Sequence, residues 1–122
     1  MNLLYKSTRD AEKTVTASQA ILKGLADDGG LFVPVSIPKL PVSLGELKEM
    51  TYQEIAYTVM KEFLTDFTEE ELKSCIAKAY DSKFDTEEIA PLAKVEDAYY
   101  LELFHGATIA FKDMALPFFR TF

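Results

Sequence analysis

The sequence has a single cysteine, a single histidine, no excess of basic charge, no long apolar run and no internal repeat. Each shortage excludes something. Cys75 alone forms no internal disulfide, and without a second cysteine or a histidine cluster no metal-ligand spacing exists, so the chain reads as metal-free and cytoplasmic. Thirteen Lys and Arg against twenty Asp and Glu leave a net charge of −7 and a pI near 4.7. A nucleic-acid backbone or an anionic bilayer repels that charge, and neither is expected as a partner. No apolar segment approaches the roughly 18 residues of a membrane span, and no basic region followed by an apolar stretch marks an export signal. With 48% hydrophobic and 27% charged residues, disorder and low-complexity scaffolds are excluded as well.

What is present is enough for one packed core. A chain of 122 residues is expected to form a single domain, or a fragment of a longer protein, burying roughly two-thirds of its unfolded surface. Residues 1–16 read as a short strand, a polar turn and another short strand. A helix follows from Ser18 and stops at Asp27-Asp28-Gly29-Gly30; Leu31-Phe32-Val33 is a short strand. Pro34, Pro38 and Pro41 impose an extended connector. Three capping boxes then predict helix starts, at Ser43 with Glu46, Thr51 with Glu54 and Thr68 with Glu71. The second helix carries one stripe, Tyr52, Ile55, Ala56, Val59, Met60 and Phe63, and the third carries Leu72, Cys75, Ile76, Ala79 and Tyr80. Residues 85–88 predict a turn or short helix ended by Pro91, and 98–104 a strand. The expected fold is α+β, mostly helical with a few short strands.

After the turn His105-Gly106-Ala107-Thr108 the chain is apolar almost to its end at Phe122, with Phe111, Phe118, Phe119 and Phe122 in the last twelve residues. Such an ending is expected to lie in a core whose other half is elsewhere, as in a chain cut short. Lys112 sits in this stretch. Apolar neighbours predict poor solvation there, which disfavours an ammonium and makes the amine a better Schiff-base nucleophile.

Residues 101–113, LELFHGATIAFKD, closely resemble the segment around the pyridoxal-phosphate lysine of threonine synthases, LELFHGPT-x-AFKD. Tyr5-Lys6-Ser7-Thr8-Arg9 is similar to the opening Y-x-S-T-R of that family. AILKGLADDGGLFVP at 20–34, YQEIA at 52–56 and IAPL at 89–92 resemble further stretches in the same order. Ala107 and Asp27 stand where the family commonly has proline. Pro117 requires either that the last helix begin near Asp113 or that it be kinked.

The resemblance implies the N-terminal portion of a pyridoxal-phosphate-dependent enzyme of tryptophan synthase β-like fold type II, with residues 105–122 opening the cofactor-binding region. It implies conversion of O-phospho-L-homoserine and water to L-threonine and phosphate, with Lys112 as catalytic residue and covalent anchor of pyridoxal 5'-phosphate. The remainder of the enzyme's own chain is the implied partner, since no glycine-rich phosphate loop follows Lys112 here; the fragment alone is expected to be inactive. Thr108 either caps the following helix or contacts the cofactor, and Asp113 either holds Lys112 or complements the helix N-terminus. Ser7, Thr8 and Arg9 suit a substrate phosphate, although local turn bonding accounts for the hydroxyls equally; His105 either orients a phosphate or bonds to backbone. Asp28-Gly29-Gly30 reads as turn chemistry. Alternatives are a short helical interaction module, or another pyridoxal-phosphate lyase of the same fold group.

Overall fold

Four side-chain caps set the helical part of the molecule, which is described by a computed structural model over residues 2–121. Helices α2 (Leu44–Lys48), α3 (Tyr52–Phe63) and α4 (Glu69–Ala79) begin at Ser43, Thr51 and Thr68, each with both bonds of its capping box. At α3 the Thr51 N–H donates to Glu54 Oε2 at 2.7 Å. Helix α1 (Ala17–Lys23) starts the same way from Thr16 and Gln19, with glutamine in the place of glutamate.

The predicted stripes meet. Tyr52, Ala56 and Met60 of α3 pack on Leu72, Cys75, Ile76 and Ala79 of α4, and Tyr80, Phe84, Ile89 and Phe118 complete the core. Leu72 and Ile76 are almost wholly buried, a gain of about 1.5–3 kcal/mol for each such side chain.

Strands β1 (Tyr5–Ser7), β2 (Thr14–Val15) and β3 (Phe32–Pro34) form an antiparallel sheet in the order β2-β1-β3. Pro34 is tolerated because it closes an edge strand. The sheet and α1 are latched to the corner between α3 and α4. Tyr5 Oη donates to the Phe63 carbonyl at 2.8 Å and the Leu3 N–H to Thr65 Oγ1 at 2.8 Å. Asp66 Oδ2 accepts from the Ser18 N–H at 3.0 Å and from Ser18 Oγ at 2.6 Å.

Residues 81–90 are turns without a helix. The predicted strand at 98–104 is shorter, β5 (Ala98–Leu101), and pairs antiparallel with an unanticipated β4 (Leu92–Val95). Beyond it, residues 111–114 form a 3₁₀ turn (Phe111–Met114), and α5 (Leu116–Phe119) restarts after Ala115, which leaves Pro117 in a first turn where no N–H is needed. The apolar ending finds part of its core within this chain: Phe118 is 3% exposed, whereas Phe111 is 73% exposed. Phe122 lies outside the described residues.

Candidate functional site

Lys112 occupies the 3₁₀ turn and is exposed, a correction to the poorly solvated setting expected from its apolar neighbours. Ile109, Phe111 and Leu116 are themselves exposed, so they do not enclose it. The lysine Nζ makes no hydrogen bond or ion pair with a described residue. Its flanks, by contrast, are held.

The first hold is Asp113, a buried carboxylate. Its Oδ2 accepts the Thr108 N–H at 2.7 Å and its Oδ1 accepts from Thr108 Oγ1 at 2.6 Å. The bond from the Thr108 hydroxyl, foremost, holds the Asp113 carboxyl below the usual carboxylate range against the opposing effect of burial. Thr108 therefore does not cap the helix that follows; Ala110 stands at the start of the 3₁₀ turn with no side-chain cap. Asp113 bonds backward across the loop, and Lys112 has a lesser influence on its carboxyl than these bonds do. Within the loop Ile109 has φ 60°, an unusual conformation for a β-branched residue, and donates its N–H to the Gly106 carbonyl at 3.0 Å.

The second hold comes from the core. Tyr80, 3% exposed, donates its hydroxyl to the Met114 carbonyl at 2.8 Å. Its ring meets Tyr52 edge-on at 4.9 Å, and its own carbonyl accepts from Gln53 Nε2 at 2.7 Å. Burial, and then Tyr52, push the Tyr80 phenol up to about 12, so the donor keeps its proton across the physiological range.

The ring of His105 bonds to two carboxylates and, among the described residues, to no backbone group. Nδ1 faces Asp85 Oδ1 and Nε2 faces Glu102 Oε2 at 2.7 Å, while the ring stacks on Phe104 at 4.6 Å. Glu102, then Asp85, raise its pKa above that of an ordinary histidine.

Ser7, Thr8 and Arg9 join Asp28-Gly29-Gly30 in one cluster. Ser7 Oγ donates to Asp28 Oδ1 at 2.8 Å, which also accepts the Gly30 N–H at 2.8 Å. These two bonds, the backbone one first, hold Asp28 below the usual carboxylate range. Thr8 Oγ1 accepts the Leu31 N–H at 3.1 Å, and Arg9 Nη1 donates to the Asp28 carbonyl at 2.9 Å. The hydroxyls thus serve the turn, Ser7 Oγ also accepting the Arg9 backbone N–H at 3.1 Å, and the other guanidinium N–H groups of Arg9 have no partner among the described residues. No hydrogen bond between described residues joins this cluster to the Lys112 loop.

A cleft of about 840 Å³ opens between the start of α3 and residues 81–90. Lys112 is not in its wall, and Asp81, Asp85, Glu87 and Glu88 give it a charge unsuited to phosphate. The residues that sequence reasoning missed are Tyr80, Asp85 and Glu102. Glu102 lies one helical turn's spacing before His105 and was detectable in principle; the other two act through tertiary contacts that leave no local pattern.

Residues 4–80 match the family described as threonine synthase N terminus. Threonine synthase of Eremothecium gossypii is 40% identical over 128 residues, covering 97% of this chain and 25% of that protein. The crystal structure of threonine synthase from yeast superposes with a TM-score of 0.87 at 35% identity, over 98% of this chain and 25% of that one. A pyridoxal-phosphate-bound threonine synthase from Brucella melitensis gives a TM-score of 0.87 at 30% identity, over 98% of this chain and 26% of that one. The chain spans about a quarter of the length of the relatives it matches. The capped helices, the short strands and the 3₁₀ turn docked on the helical pair have the fold of the N-terminal portion of these threonine synthases. The chain belongs to the threonine synthase family.

Proposed function

We propose that within the full-length enzyme this chain supplies Lys112 as the amine that carries pyridoxal 5'-phosphate, for conversion of O-phospho-L-homoserine and water to L-threonine and phosphate. One observation carries the reading: an amine without a hydrogen-bond partner among the described residues stands on a turn whose neighbours on both sides are bonded. A free amine on a fixed turn fits covalent attachment of an aldehyde cofactor. When bound, pyridoxal phosphate supplies an electron sink for charge developing on the substrate carbons.

The chain's own residues do the rest. Lys112 takes and returns protons at those carbons. Thr108 and Asp113 serve the cofactor region by fixing the loop, and exposed Ile109, Phe111 and Leu116 are walls awaiting the remainder of the enzyme's chain. Arg9 is our candidate for the substrate phosphate, its backbone N–H held by Ser7 Oγ, and His105 braces the start of the Lys112 loop through Glu102 and Asp85. Residues 1–122 form one N-terminal domain, with 105–122 opening the cofactor region. The buried thiol of Cys75 suits a reducing, cytoplasmic setting.

The test is Lys112→Ala in the full-length enzyme, with borohydride reduction and peptide mapping of the parent. Cofactor fixed at Lys112, with turnover lost in the variant, is the expected result. Labelling of another lysine overturns the reading, and turnover of serine or threonine in place of phosphohomoserine points to a different lyase of the same fold.

A further inference from the structure

We infer that Tyr80 is a positioning residue for Lys112, acting through the Met114 carbonyl. The inference rests on the reading that Lys112 carries the cofactor, and it adds a residue more than thirty positions upstream to that site.

The 3₁₀ turn is only four residues long, too short to hold its own geometry. The bonds at its two ends are Asp113 N–H to the Ala110 carbonyl at 3.0 Å and Ala115 N–H to the Lys112 carbonyl at 3.1 Å. Asp113 fixes the turn to the loop before it, but that loop is exposed at Ala107, Thr108 and Ile109 and would carry the turn along if it moved. Tyr80 differs in kind. It stands at the end of α4, buried, between Tyr52 and Phe84, with its carbonyl bonded to Gln53 of α3. A hydroxyl rooted there ties the turn to the buried core. With the ring packed on two others, the hydroxyl is confined to a narrow range of positions. Lys112 is two residues from the tethered carbonyl, so a shift of Met114 is transmitted to the lysine backbone with little attenuation. Small misplacements of a reacting group cost rate far more than binding.

The experiment uses the full-length enzyme and three variants. Tyr80→Phe deletes the hydroxyl and keeps the ring. Leu72→Ala damages the same core near the start of α4, away from the Tyr80 ring and the turn. Lys112→Ala tests the underlying reading. For Tyr80→Phe the expected result is a kcat roughly tenfold lower with KM little changed, a slower borohydride trapping of cofactor on Lys112, and an altered absorbance of the bound cofactor. Leu72→Ala is expected to lose at least as much melting temperature while keeping kcat per folded molecule and the absorbance. Tyr80→Phe with parental kcat and trapping rate overturns the inference, as does a Leu72→Ala that reproduces every effect. If the parent enzyme is trapped at a lysine other than Lys112, the reading beneath the inference fails instead, and with it the inference. Amide exchange on the unmutated full-length enzyme needs no folded variant. Protection at Asp113 and Ala115 within about tenfold of the core of α4 is expected, and exchange as fast as an exposed loop contradicts a tether to the core.

Discussion

Gly106 and Asp113 approach so closely that a Cβ on the glycine would lie 2.5 Å from the Cβ of the aspartate. Gly106 is buried, and the side chain against it is anchored by two bonds to Thr108, so neither partner can yield without opening the loop. Gly106→Ala is expected to cost about 1–3 kcal/mol, by the overpacking it imposes. Urea unfolding of the enzyme containing it checks the magnitude, and a neutral result means the loop relaxes freely.

Ile109 holds φ 60° while 75% of its surface is exposed, so it pays backbone strain for little burial. Ile109→Asn, a residue that tolerates the left-handed region, is expected to raise stability by about 1 kcal/mol. The same unfolding measurement decides it.

His105 supplies the pH dependence. Glu102 first, and Asp85 second, favour its charged form and raise its folded pKa. Its stabilisation is therefore complete below the unfolded value of about 6.5 and is lost as pH rises through the higher folded value. The melting temperature of the parent is expected to fall across that rise relative to His105→Gln. Parallel curves for the two proteins refute the assignment.

Burial separates two leucines of similar appearance in the sequence. Leu72, 2% exposed, packs in the main core; Leu44, 85% exposed, begins α2. Leu72→Ala is expected to cost about 2–5 kcal/mol and Leu44→Ala less than about 0.5 kcal/mol. Denaturant midpoints of the two variants are the check.

Residues 1–122 by themselves are expected neither to bind pyridoxal phosphate selectively nor to make threonine. An exposed Lys112 is one amine among many, and donors for the cofactor phosphate lie, on our proposal, in the remainder of the enzyme. Stoichiometric labelling of Lys112 in the isolated chain, with threonine formed, contradicts this.

Local rules carried the sequence reading where bonding is local. The boxes at Ser43, Thr51 and Thr68 and the stripes behind two of them led directly to α2, α3 and α4, because a cap and a 3.6-residue period both act within one turn. Strand β4 escaped notice since its turn, Glu96-Asp97, lacks glycine or asparagine and places Glu96 at φ 53° at the expense of strain. Context and resemblance both single out Lys112, but its solvation is not legible in the sequence: an apolar stretch shows which residues seek burial, and says nothing about whether a surface is there to receive them. His105 and Tyr80 take their meaning from Asp85 and Met114, twenty and thirty-four positions away. Such pairings exist only once the chain has folded.

The latch between the first strand and the helical corner bears on how the molecule is made. The partners of Leu3, Tyr5 and Ser18 follow them by 62, 58 and 48 positions. At about 5–20 residues per second, a ribosome leaves the opening segment without those anchors for roughly 3–12 s. Helices α3 and α4 are near neighbours in sequence and can associate as soon as both have emerged, so the sheet is secured late. Damage to the latch should therefore quicken unfolding and leave the folding rate almost untouched, a protein that assembles on schedule and comes apart early.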